Sequence, residues 1–372
     1  MRPRRSSSSK AKLPVVDSIK AEIAIIGAGP AGATLGIRLA QLGHDVCILE
    51  KQRFPRDHVG ESLPPSIEPL LDFIGVKAEV DHAGFPRSSG AWIRWDGATQ
   101  FRESPLPGYQ VNRARFDAIL LDAARVHGVR VLEATRYEPG QLDATIIADA
   151  SGRRSISGGV KRQMGARTLS LYSYWEGKPW PDSCSRVEAL DHGWLWAAPL
   201  SNEKSIVATF VDPSSHADYE TFIRQATLIP QGGQPGPIHV CDSTPWMSDS
   251  MAEPGLIRVG EAAFAIDPLS SQGVQTAIAS ALQASVVVHT MLCRPRDAAM
   301  AIAFYQARQQ AAAIRHAGIA AELYTKACSV HQTLFWKART DLPNVIEPQA
   351  NARISGDLVV PAPVDMGHNS GL

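Results

Sequence analysis

The chain has 372 residues, 44% hydrophobic and 20% charged, an ordinary globular composition long enough for one large or two closely joined domains. Its 37 basic and 37 acidic residues cancel, which leaves no electrostatic case for a nucleic-acid or anionic-membrane partner. No uninterrupted apolar run reaches the roughly 18 residues of a membrane span, and five scattered cysteines without C-x-x-C spacing read as free thiols of the cytoplasm.

Residues 1–20, basic and then serine-rich with no apolar segment behind them, predict a disordered tail and not a secretory signal. Order is expected from Ala21. The apolar strand Ile23 to Ile26 runs into Gly27-Ala28-Gly29-Pro30-Ala31-Gly32, a G-x-G-x-x-G turn, followed by a small-residue helix. A second apolar run, Val46 to Leu49, ends on Glu50. This spacing describes a dinucleotide site: Gly27 for the tight turn, Gly29 for backbone approach to a pyrophosphate, Gly32 for close helix packing, and Glu50 to accept from a ribose.

A Gly/Pro-punctuated loop follows to Pro65, then a helix over about 66–74 stopped by Gly75. Ala91 to Trp95 and Thr99 to Arg102 flank Asp96-Gly97 and predict a hairpin. An amphipathic helix is expected over 113–127, with strands over 129–132 and 144–149. From 168 to 212 the pattern is β-like, in three runs at 169–175, 193–198 and 205–211. A short helix over 219–227, a strand over 256–259 and two long helices, 274–293 and 298–326, complete the order; the proline-bearing tail beyond Leu342 is expected to fray.

The expected fold is therefore α/β. A Rossmann-type domain is assembled from the non-contiguous segments 21–85, 111–165 and 250–330, with an inserted β-sheet substrate domain of 86–110 and 166–249. Residues 331–372 are expected as a partly disordered C-terminal extension.

Three more segments matter together: Phe54-Pro55-Arg56-Asp57-His58-Val59-Gly60-Glu61-Ser62, Asp149-Ala150-Ser151-Gly152-Arg153, and Gly260-Glu261 through Asp267-Pro268-Leu269-Ser270-Ser271-Gln272-Gly273-Val274. With them the chain resembles the FAD-dependent aromatic hydroxylase and halogenase superfamily over roughly residues 21–330, and within it the halogenase-like branch. The resemblance implies FAD as the tightly held cofactor. It places Arg56, Glu61, Ser62, Arg113, Asp149, Gly260, Glu261, Gly273 and Val274 along it, besides Gly27, Gly29, Ala31, Gly32 and Glu50. Glu261 stands where Gly-Asp is usual, keeping a carboxylate for the ribityl chain on a longer stem.

Gly193-Trp194-Leu195-Trp196-Ala197-Ala198-Pro199 resembles the W-x-W-x-I-P motif of flavin halogenases. The resemblance puts Trp194, Trp196, Asp267 and Ser271 at the reacting end of the flavin. Halogenases of this branch also carry a lysine in the stretch that here reads His82 to Trp92, which holds Arg87, Ser88 and Ser89 but no lysine; the nearest is Lys77. Arginine stays charged and offers no amine nucleophile, so halogenation is disfavoured.

The branch includes hydroxylases that modify a tryptophan side chain during maturation of quinone-cofactor oxidases, and the D-P-L-S-S-Q-G-V segment looks most like theirs. The expected activity is monooxygenation of an aromatic or indole substrate, either a small molecule or a tryptophan-bearing partner protein. A halogenase, or a geranylgeranyl-reductase-like enzyme on a small molecule, stays open as the alternative, as does a flavoprotein without turnover. No second G-x-G-x-x-G exists, so electrons come from transient NAD(P)H or from a separate flavin reductase. His44, His58, His82 and His127 have no ligand spacing and predict no metal site, and no nucleophile elbow exists for Ser/His/Asp chemistry.

Overall fold

The computed structural model describes residues 18–215 and 218–341. Its first sheet has six strands in the order 252–253, 256–258, 142–149, 19–26, 46–49 and 130–132. Four of its five pairings are parallel and the 252–253 edge is antiparallel; continuous apolar runs such as Ile23 to Ile26, buried throughout, favour a parallel sheet covered on both faces. The strand 256–258 returns from late in the chain to pair with 142–149, so the sheet is non-contiguous in sequence. The first strand starts at Ile19, two residues inside the stretch expected as a tail, because Ile19 pairs with Leu142 and is buried.

Helix α1 (Pro30–Gln41) follows the glycine turn, α2 (Glu68–Phe73) and α3 (Lys77–His82) follow the loop, and α4 (Arg113–Val126) packs beside α1. Helix α5 is Tyr219–Gln225; α6 (Gly273–Cys293) lies between α1 and α7 (Ala298–Cys328). Helix α6 carries no Asp, Glu, Lys or Arg and is long and apolar enough by composition to cross a membrane, although Gln, Thr, Ser and His interrupt its apolar run. Here its two inward faces are buried within the protein, with Ile278, Ala281, Ala284 and Val288 sealed against its neighbours.

The second sheet is nine-stranded and mostly antiparallel. Its main order is 233–235, 169–177, 204–211, 193–199, 185–190, 87–94, 99–110 and 62–63, with 239–242 also pairing 169–177. The hairpin at Asp96-Gly97 forms with Gly97 at φ +91°, and its second strand extends to Gln110. The strand 185–190 was not anticipated. A separate three-stranded sheet has the order 264–265, 246–248 and 161–163, and α7 packs on its first two strands.

Beneath the second sheet, Trp95, Trp194, Phe210, Tyr324, Phe335 and Trp336 form an aromatic core. Residues 331–341, expected to begin a loosely held extension, contribute to it. Helix α8 (Leu334–Lys337) buries Trp336 completely, and its indole donates to the Leu190 carbonyl at 2.9 Å. The tail from Leu342, expected to fray, lies outside the described residues.

Candidate functional site

A cavity of about 660 Å³ opens where the N-terminal ends of α1 and α6 meet the face of the second sheet. Its size falls in the roughly 300–1,000 Å³ range of small-molecule and cofactor sites. One end is built by the first sheet. Gly27 sits at φ +105°, and a Cβ there would strike the Ala150 carbonyl. A Cβ on Gly29 would meet the Arg56 guanidinium at 3.4 Å. Gly29 caps α1 with no side-chain hydrogen bond, so the first-turn amides of α1 face the cavity unsatisfied by the helix itself. Glu50 accepts the Ala28 and Gln52 amides, each at 2.9 Å, which fixes its carboxylate at the cavity wall.

Arg56 supplies the charge that such a site needs. Its Nη1 is buried without a hydrogen-bond partner, held only by an ion pair to Asp117 at 3.5 Å. Its other terminal nitrogen, Nη2, is the one nearest Gly29 at the open helix N-terminus, and a guanidinium placed there fits a pyrophosphate. Arg113 is differently engaged. Its Nε and Nη2 donate to Asp117 at 2.9 and 3.1 Å, and its Nη1 to the Val59 carbonyl at 2.6 Å, so it borders the cavity while anchoring the loop.

Farther along, Glu61 accepts from the Tyr174 hydroxyl at 2.7 Å and from the Gly60 amide at 2.7 Å. Burial pushes its carboxyl above the usual range, opposed by those two donors. Ser62 and Glu261 also line the wall; Glu261 is partly drawn off by Arg153 at 3.6 Å.

The other end is aromatic. The two-residue period of strand 193–199 puts Trp194 and Trp196 on one face. Both line the cavity with Ala208 and Phe210 from the neighbouring strand. Trp194 stacks on Phe210 at 3.8 Å and 14°. Its indole donates to the Tyr324 hydroxyl at 3.2 Å, which in turn faces both Asp267 carboxylate oxygens at 3.1 Å. Ser271 lines the cavity at φ +51°, a left-handed turn costing about 1 kcal/mol that delivers the chain into the α6 N-terminus. Gly273 and Val274 follow on the wall, and the space where a Gly273 Cβ would go is open.

Ala31 also reaches the cavity, but four residues expected at the cofactor or the chemistry do not line it: Gly32, Asp149, Gly260 and Asp267. Gly32 and Gly260 serve packing, since a Cβ would collide with the Gly27 carbonyl in one case and approach Ala31 Cβ to 2.8 Å in the other. Asp149, fully buried, accepts the Ser151 and Ser157 amides and shapes the turn behind the wall. Asp267 is buried behind Ser271, where it caps the Leu269 amide at 2.9 Å, and desolvation pushes its carboxyl up. Sequence reasoning missed Asp117, Tyr174, Phe210 and Tyr324. Only Asp117 had a signal, its i,i+4 spacing from Arg113.

Neither Lys77 nor Arg87 reaches the cavity. Lys77 pairs with Asp81 at 2.6 Å, and Arg87 with Glu68 at 2.5 Å while lying over the Tyr109 ring. Among the described residues that line the cavity the lysine present is Lys51, next to Glu50 and at the opposite end from the tryptophans.

The chain is similar to known flavin-dependent proteins. Residues 20–157 match the FAD binding domain family, and residues 93–355 match the tryptophan halogenase family. A tryptophan 2-halogenase from Chondromyces crocatus is 28% identical, with 86% of this chain and 70% of that protein aligned. The solved myxobacterial chondrochloren halogenase CndH superposes with a TM-score of 0.78 at 25% identity, covering 87% of both chains. QhpG, a peptidyl tryptophan dihydroxylase essential for tryptophylquinone cofactor biogenesis, superposes with a TM-score of 0.72 at 26% identity, over 87% of this chain and 80% of that one. The cofactor is FAD.

Proposed function

The chain belongs to the tryptophan halogenase family of flavoproteins, and within that family we propose that it is an FAD-dependent monooxygenase that hydroxylates an indole or other aromatic ring. The substrate on this reading is a tryptophan side chain presented by a partner protein, or a small aromatic molecule. The observation that carries the proposal is the aromatic end of the cavity, where Trp194, Trp196 and Phe210 stand without a lysine; the lysine among the described lining residues, Lys51, is beside Glu50 at the other end. The likeness to a peptidyl tryptophan dihydroxylase supports it. Five free cysteines suit a cytoplasmic setting.

Bound and reduced, FAD supplies the electrons with which O₂ gives one oxygen atom to the ring and the other to water. Those electrons come from NAD(P)H directly or from a separate flavin reductase. The chain's own residues bind, orient and exclude water. Gly27, Gly29, Ala31, the α1 amides and Arg56 hold the pyrophosphate, and Glu50 accepts from the adenosine ribose. Glu61 and Ser62 would lie along the bound FAD, and Glu261 would offer a carboxylate to its ribityl chain. The Gly273 and Val274 amides at the start of α6 favour negative charge on the flavin's pyrimidine edge. Trp194 and Trp196 wall a dry pocket for the acceptor ring, where unproductive decay is slowed by keeping solvent out.

The test is product mass. The FAD-loaded protein, supplied with reduced flavin and O₂ in bromide buffer, is incubated with tryptophan, indole and tryptophan-bearing peptides. Gain of oxygen supports the reading. Gain of bromine, or of two hydrogens on an unsaturated substrate, would move the protein to the halogenase or reductase alternative.

A further inference from the structure

At the end of α1 and α6 remote from the cavity, three side chains from distant parts of the chain converge. His44 follows α1 in the turn before strand 46–49, while His289 and Cys293 are one turn apart at the C-terminal end of α6. His44 Nε2 lies 2.9 Å from His289 Nδ1, Cys293 Sγ lies 3.7 Å from the same nitrogen, and one ligand atom from each falls within 4.8 Å of the others. We propose that His44, His289 and Cys293 bind a Zn²⁺ ion that ties α6 to the α1 turn.

The spacing suits the metal. With Zn–N near 2.0 Å and Zn–S near 2.3 Å, tetrahedral ligand atoms sit about 3.3–3.6 Å apart, so small side-chain adjustments admit an ion between them. Two imidazoles and a thiolate are a donor set for zinc and not for magnesium or calcium. The tautomer is set by Glu22, whose carboxylate lies 3.0 Å from His44 Nδ1. A neutral His44 then keeps its proton on Nδ1 and turns the Nε2 lone pair toward His289. A carboxylate behind a metal-bound histidine is the usual orienting partner. The α6 C-terminus adds partial negative charge at the cation. Cys293 is exposed, which leaves the fourth position to water and gives the ion a way in. Binding releases the thiol proton to solvent.

The 12 residues of α1 span about 18 Å, so this clasp stands well away from the flavin and is independent of the reading of its chemistry. It closes a long loop of chain, joining the turn after α1 to the C-terminal end of the helix whose N-terminus borders the cavity.

The experiment uses tag-free, FAD-loaded full-length protein, stripped with chelator and titrated with Co²⁺ and then Zn²⁺. One Co²⁺ per chain should bind, with the intense red-region bands of a tetrahedral thiolate complex, which flavin absorption does not mask, and Zn²⁺ should abolish them. Cys293→Ser and His289→Ala should each weaken Zn²⁺ at least tenfold, and Glu22→Gln about tenfold, while Cys328→Ser leaves binding unchanged. Saturating Zn²⁺ should raise the unfolding temperature of the parent and not that of Cys293→Ser. No stoichiometric metal in the parent, or equal affinity in Cys293→Ser and His289→Ala, would mean that the cluster is a histidine–histidine hydrogen bond and nothing more.

Discussion

On the proposed reading, Glu50 is where one side chain decides which flavin is held. Its carboxylate already accepts two backbone amides, and the residue lines the cavity. A charge-assisted bond to the adenosine ribose is worth about 1.5–3 kcal/mol, so Glu50→Ala should weaken FAD by roughly ten- to a hundredfold. FMN, which lacks that ribose, should be much less affected. Equilibrium titration with both flavins checks this. Two glycines separate packing from binding in the same way. Gly32→Ala pushes a Cβ into the Gly27 carbonyl and should destabilise the fold by about 1–3 kcal/mol in denaturant melts. Gly273→Val fills only open cavity, so it should melt like the parent yet load less FAD. Gly32 was legible because the G-x-G-x-x-G spacing states a close approach locally, whereas Gly273 came from the resemblance alone. The Glu61–Tyr174 and Trp194–Tyr324 bonds were not legible, since their partners are 113 and 130 residues apart.

At the scale of elements, continuous apolar runs and turn chemistry located most of the first sheet and the long helices. The strand 185–190 escaped because Arg186 and Glu188 break its apolar pattern. Both are buried there, with Glu188 accepting the Thr227 and Leu228 amides and Arg186 donating to Asp182 and the Cys184 carbonyl. Helix α8 escaped because four residues carry no periodicity. Helix α7 holds a further buried group, His316, whose Nδ1 has no hydrogen-bond partner and whose pKa is pushed down from 6.5 to about 4, first by burial and then by Arg315. Its folded pKa lies below its unfolded one, so the neutral ring's contribution is complete above pH 6.5 and is lost as pH falls toward 4. The loss amounts to about 3 kcal/mol over that window. Urea melts at pH 7, 5.5 and 4 should reveal it, and His316→Leu should flatten that part of the profile.

Across the whole molecule, two sheets meet at one cavity whose ends differ in chemistry: glycines, helix amides and Arg56 at one, stacked aromatics at the other. The resemblance located both ends, but no local pattern could reveal that Asp267 lies behind Ser271 and reaches Trp194 only through Tyr324. Trp196, half-buried on the cavity wall, is on this account a barrier to water and not an acid. Trp196→Ala should therefore raise peroxide release per product formed by a larger factor than it weakens FAD. The measurement that bears most directly on the central claim uses heavy-isotope O₂ in bromide buffer, with the product of a tryptophan substrate read by mass spectrometry. The account predicts one heavy oxygen in the product and no bromine at any halide concentration. A brominated product, or hydroxylated product whose oxygen comes from water, would contradict it.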